Sequence, residues 1–258
     1  MRIGATAFTL FCAVLLISCS ACGGGNLVPN GMTAAGLLTA ALGAEEEIDN
    51  YEFDGVVIGT MTGVTATVVD VIGVIDRQNS ALYIEMSHSG HNESMELYVV
   101  DDWEYINVYG PNLSSTWNIT PVTEDTWFVR NLPMQQVNTL YDFVQANYMG
   151  TEAAGGIECY KLEVEPDLIQ VLKWFTGETD MEELDPSIDV SEMVSELSVT
   201  VWIAADTNYI VKTVIGATLT VDLEYMVMSL GQSISVTRSQ FNQPVAIDLP
   251  TDIEDADQ

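Results

Sequence analysis

Long tracts of this chain change hydrophobicity every second residue, and that period decides most of what it can fold into. In "LTVDLEYMVMSL", Leu219, Val221, Leu223, Tyr225 and Val227 fall on one side of the alternation; Thr220, Asp222 and Glu224 fall on the other. Two is the period of a half-buried strand, because successive side chains leave opposite faces. "YEFDGVVIGTMTG" and "VTATVVDVIGVID" are rich in β-branched residues and punctuated by glycine, which reads as strands and turns. "ALYIEMSHSGHNESMELYVVDDWEYINVYG" reads as three strands turning near Ser89-Gly90 and Asp101-Asp102, and "STWNIT" adds a short one. "GIECYKLEVE" sets Tyr160, Leu162 and Val164 against Lys161, Glu163 and Glu165. Four closing strands are expected: "LSVTVWIAAD" and "YIVKTVIGAT", joined at Thr207-Asn208, then "LTVDLEYMVMSL" and "SISVTRSQF".

Helical spacing is confined to a few segments. From Thr33 to Ile48, Leu37, Leu38, Ala41 and Leu42 form one stripe with Thr33 as N-cap. A second helix is expected over Met134 to Tyr148, with Val137, Leu140, Tyr141, Val144 and Tyr148 on one face. A third begins at Pro166, a residue suited to a first helical turn, and carries Leu168, Val171, Leu172 and Phe175. A short fourth spans Asp189 to Leu197, after an acidic loop. The sum is an α+β chain of about ten antiparallel strands, one sheet face polar and the other covered by helices.

The first residues carry a different message. Met1-Arg2 is positive, and Ile3 to Ile17 holds no charge, as in a secretory signal. The apolar run is short of the ~20 residues of a comfortable spanning helix. Leu16-Ile17-Ser18-Cys19 resembles the lipobox of prokaryotic lipoproteins, which makes Cys19 the lipidation site. Ordinary signal cleavage nearby is the competing reading. The glycines at 23–25 supply a flexible tether. The expected organisation is a signal peptide over 1–18, a tether over 19–31, one domain over 32–250 and an acidic tail over 251–258. The expected location is extracytoplasmic, with membrane attachment through Cys19.

Charge excludes some functions. There are 38 acidic residues against 7 basic ones, a net −31, so nucleic acid is not expected as a partner. Of the four cysteines, Cys12 lies in the signal and Cys19 at the lipobox, which leaves Cys22 and Cys159 to pair or not. "HSGH" places His88 and His91 three apart in a glycine turn, which is no rigid metal face, so no metal and no cofactor are expected. G-x-S-x-G is absent and both histidines lie in that turn, so no catalytic residues are assigned and an enzyme is not expected.

Several stretches resemble the LolA-like carrier fold, and within it the anchored LppX/LprG-type lipoproteins. They are "LLTAALGAEEEIDNYEF", "GVIDRQNSALYIEM", "ELYVVDDWEYINV", "CYKLEVEPDLIQVLKWF", "VTVWIAADTNYIVKTVI" and "QPVAIDLP" as a closing strand. The resemblance implies a strongly curved antiparallel half-barrel with helices on its concave face. It also implies acyl chains held between sheet and helices. None of Arg77, Arg130, Lys161, Lys173, Lys212 and Arg238 is an obvious cavity arginine of the shuttle type.

Acyl chains need a dry apolar surface rather than a catalytic group. On that reading the lining candidates are Val137, Leu140, Tyr141 and Val144, then Leu168, Leu172 and Phe175, and on the strands Val201, Ile203, Leu219, Val221 and Leu223. The same stripes also fit a plain filled core. Two functions therefore stand: a lipid-binding or lipid-transfer lipoprotein, and a surface interaction or envelope-sensor lipoprotein with a filled core. The protein partner is unknown.

Overall fold

The structure, a computed structural model, describes residues 27–88, 90–111, 116–123, 136–137, 140–167, 194–223 and 226–253. One α-helix, α1 (Ala34–Ala44), precedes eleven strands among these residues. The strands are β1 (Asn50–Met61), β2 (Val64–Asp76), β3 (Ala81–His88), β4 (Ser94–Val100), β5 (Trp103–Tyr109), β6 (Trp117–Pro121), β7 (Phe143–Ala154), β8 (Ile157–Pro166), β9 (Val194–Ala204), β10 (Ile210–Leu223) and β11 (Met226–Ser239).

All eleven form a single open sheet in the order β6-β5-β4-β3-β2-β1-β11-β10-β9-β8-β7, and every pairing is antiparallel. The chain starts in the middle, steps outward to β6, resumes at the opposite edge with β7, and steps back to close on β1. Turn chemistry sets these steps. Val100 pairs with Trp103 across a two-residue loop, and both loop residues, Asp101 and Asp102, have positive φ. That conformation matches the twist of a hairpin, and aspartate is among the residues that tolerate it. Gly155-Gly156 makes the corresponding turn between β7 and β8.

Register assigns each position to a face. The inner face, which carries α1, includes Tyr51, Phe53 and Val57 on β1, Ile75 and Val71 on β2, Ile234 and Val236 on β11, and Ile215 on β10. Thr33 caps α1 by accepting from the Gly36 N–H, and Leu37, Leu38, Ala41 and Leu42 are buried as the stripe requires. They pack with Val137, Leu140, Ala146, Leu162, Val164, Val199, Val201 and Ile203. A smaller outer-face cluster joins Ala154, Cys159, Trp202, Ala204 and Val211.

The expected helices need correction. Of Met134 to Tyr148, only 136–137 are helical among the described residues, and from Phe143 the chain is the edge strand β7. Pairing with β8 satisfies this backbone, and tertiary pairing overrides a stripe that fits either period. Pro166 is a strand residue rather than part of a first helical turn; it ends β8 opposite Phe143, a terminal place where its missing N–H costs little. Of the short helix expected over Asp189 to Leu197, Val194 to Leu197 belongs to β9, and the part before Val194 lies outside the described residues. The helix expected from Asp167 to Phe175 lies, beyond Asp167, outside the described residues. "LTVDLEYMVMSL" is a hairpin rather than one strand. Leu223 pairs with Met226 and Asp222 with Val227, so the alternation changes side at the turn. "QPVAIDLP" forms no ladder, and the chain after it makes a 3-10 turn, Thr251–Ile253, with Ile253 buried.

Candidate functional site: an open groove on the inner face

The inner face differs between its two ends. Near α1 it is closed. Val137, Leu140, Val201 and Ile203 are at most 3% exposed and lie in the core under the helix. Tyr141 and Val144 leave that group, at 51% and 67% exposed. Leu168, Leu172 and Phe175 lie outside the described residues. Leu219 is half-buried, and Val221 and Leu223 follow it along β10 at the register positions of Met228 and Met226.

The far end of the same face is open. A groove of about 330 Å³ is lined by Gly59, Thr60, Met61, Val64, Thr65, Thr67, Leu230, Gly231 and Gln232. Register stacks these residues in two rows: Gly59 with Thr67 and Gln232, then Met61 with Val64 and Leu230. Leu219 pairs with Leu230, so β10 continues the second row. Met61, Val64 and Leu230 are exposed, and Val57 and Val69, one row nearer the core, are half-buried. Apolar side chains therefore run from the core out into the groove. Its volume is near the lower end of the ~300–1,000 Å³ typical of small-molecule sites.

Gly59 keeps the groove open. A Cβ added there would meet no heavy atom within 4 Å, and its backbone is not in the left-handed region. Gly231 is different: a Cβ there would lie 2.4 Å from Thr60 Oγ1, so the outer side is occupied. The sequence offered one signal for this site, the glycines and small residues spaced through "GVVIGTMTG". A glycine inside a strand marks a bulge or a close approach, and the β1–β2 register does shift between Gly59 and Met61.

A polar lock closes the α1 end, and sequence reading missed it. Glu45, directly after α1, and Arg238 on β11 are both buried. Arg238 Nη1 donates to Glu45 Oε2 at 2.8 Å and Nη2 to Oε1 at 2.7 Å; Nη2 also donates to the Ile210 carbonyl. Arg77 Nη1 donates to the Glu45 carbonyl at 2.6 Å. The Arg238 guanidinium lies over the rings of Tyr51 and Phe241, 5.3 and 5.6 Å from their centroids. Burial alone would lower the Arg238 pKa, but the Glu45 carboxylate more than offsets this and holds it above its usual value. Burial pushes the Tyr51 hydroxyl up, against the pull of Arg238. Arg238 is thus consumed in fixing α1 to the sheet. Nothing in the local text "SVTRSQF" distinguishes it from a surface arginine; its partner is 193 residues away.

Among the described residues no group of three or more His, Cys, Asp or Glu is placed to hold a metal ion, and no helix is long and apolar enough to cross a membrane. Cys159 is a buried free thiol among the described residues.

No protein-family model and no curated protein matches the chain. Solved structures do. The chain is similar to lipoprotein LppX of Mycobacterium tuberculosis at 21% identity and a TM-score of 0.48, over 84% of this chain and 100% of the other. It is similar to LprF of Mycobacterium bovis at 14% identity and 0.49, over 88% and 99%. A LolA superfamily protein from Nitrosomonas europaea matches at 11% identity and 0.29, over 86% and 97%. LppX and the LolA superfamily are the names to which the strand text points. All three TM-scores lie below 0.5.

Proposed function

We propose that this chain is a non-enzymatic, extracytoplasmic lipoprotein, anchored through Cys19, that holds acyl chains on the inner face of its sheet. The observation that carries the reading is the groove of Gly59, Met61, Val64, Thr67 and Leu230, about 330 Å³ and continuous with the core through Val57 and Val69. Its rim offers threonine hydroxyls and the Gln232 amide rather than an acid–base pair, which suits binding without chemistry. Each methylene moved from water into such a surface contributes about 0.8 kcal/mol. The half-barrel curvature and the helical cover belong to the same proposal: helices over the groove would complete the enclosure that α1 makes at the other end. The test is direct. The full chain carrying Cys19→Ser, purified without detergent, is extracted with organic solvent and the extract read by mass spectrometry. Acyl lipid in near-stoichiometric amount is expected. A lipid-free protein that also takes up no fluorescent fatty acid would remove the carrier reading and leave the interaction protein.

A further inference from the structure

The outer face of β3–β6 gathers aromatic side chains in register. Register places Tyr83, Tyr98 and Tyr105 directly opposite one another on β3, β4 and β5. The next row is Glu85, Glu96, Asn107 and Trp117. The Tyr83 and Tyr98 rings are 4.8 Å apart, and Tyr98 meets Trp117 edge-on at 5.8 Å. Tyr109 follows Asn107 on the same face, and Trp103 and Ile72 flank it, 45% and 48% exposed. Six aromatic residues thus share one face of four short strands.

Cross-strand aromatic pairs stabilise a sheet by about 0.2–1 kcal/mol each, which accounts for the tyrosine row alone. It does not account for Glu85 opposite Glu96, because like charges set directly across a ladder destabilise it. Each carboxylate accepts from a tyrosine hydroxyl, Tyr83 to Glu85 at 3.0 Å and Tyr109 to Glu96 at 3.1 Å. Burial, then the Glu85 carboxylate, pushes the Tyr83 hydroxyl up, so it stays a neutral donor. None of the ion pairs among the described residues reaches this face: Arg77 and Arg238 are engaged with Glu45, and Lys161 with Glu152. The two half-buried carboxylates are thus framed by aromatic faces, on a chain of net charge −31.

We propose that the outer face of β3–β6 docks a basic, arginine-bearing segment of a partner protein. A guanidinium is the cation that stacks on an aromatic ring and forks onto a carboxylate at once. Tyrosine and tryptophan are also the residues on which binding energy concentrates in protein interfaces. A guanidinium between Glu85 and Glu96 would turn their mutual repulsion into two attractions, so the cost built into the free face is recovered on binding.

The test uses the full chain in neutral-detergent micelles and a fluorescent peptide of arginines spaced by Gly-Ser, read by anisotropy at physiological salt. Binding is expected, with the citrulline counterpart weaker by about tenfold or more. The double variant Glu85→Gln/Glu96→Gln should weaken the arginine peptide by about tenfold, and Tyr98→Leu should weaken it with the charge unchanged. The control Glu163→Gln/Glu165→Gln, which removes the same charge from the outer face of β8, should shift it by no more than about twofold. Removing repulsion should not unfold the first variant, and its unfolding midpoint checks this. Equal weakening by both double variants would reduce the effect to diffuse charge and overturn the proposal. So would equal binding of the citrulline peptide, or binding of a neutral hexasaccharide with no binding of the arginine peptide.

Discussion

Gly59→Trp separates a working groove from an idle one. The substitution adds an indole at an inner-face strand position where a Cβ meets nothing within 4 Å and the backbone is not left-handed. It should therefore fold, and an aromatic replacing glycine in a strand gains up to about 1 kcal/mol. The groove of about 330 Å³ has room for roughly ten methylene-sized groups, at the ~30 Å³ that a water occupies in the liquid. The ring atoms of an indole are nearly as many as that space accepts. If it displaces five methylenes at ~0.8 kcal/mol each, about 4 kcal/mol of binding is lost, several hundredfold in affinity. Displacement of a fluorescent fatty acid measures the affinity, and thermal unfolding checks the fold. A folded variant that binds as the wild type does would refute the assignment of the groove, whatever else the protein binds.

The buried lock gives the opposite kind of outcome. Glu45→Gln leaves Arg238, 3% exposed, without its counter-charge and should cost about 3–5 kcal/mol in urea unfolding. Glu45→Leu combined with Arg238→Met should recover most of that loss, and a single variant as stable as wild type would show that the pair does not hold α1. Gly73→Ala should destabilise by about 1–3 kcal/mol in the same assay, because its Cβ would lie 2.5 Å from the Phe53 ring and 2.5 Å from the Tyr83 carbonyl; an unchanged midpoint would contradict that packing. Cys19→Ser should end fatty-acid labelling and release the protein from membranes, since the acyl chains supply most of the membrane affinity. A variant that still labels and still sediments with membranes removes the anchor.

The parts of the fold legible in the sequence are those fixed by local chemistry. Strands β1 to β6 follow from alternation broken by residues that accept positive φ, such as Asp101-Asp102. Helix α1 follows from one stripe and one capping threonine. Where local text supports two periods, only the neighbour decides. Val137, Leu140 and Tyr148 suit a helix face, yet Tyr148 pairs with Leu162 as a strand residue. The site was less legible, and three glycines show why. Gly55, Gly59 and Gly73 sit in similar β-branched text, and all three occupy inner-face positions. At Gly55 a Cβ would lie 2.6 Å from the Ser235 carbonyl, and at Gly73 it would meet Phe53; at Gly59 it meets nothing. The same residue type thus marks a close approach twice and an empty space once. The partners that decide lie on neighbouring strands, Ser235 on β11 for Gly55 and Phe53 on β1 with Tyr83 on β3 for Gly73, and no local pattern carries that information. The groove is therefore a property of register, and substitutions that preserve the alternation but shift β11 by one residue would erase it.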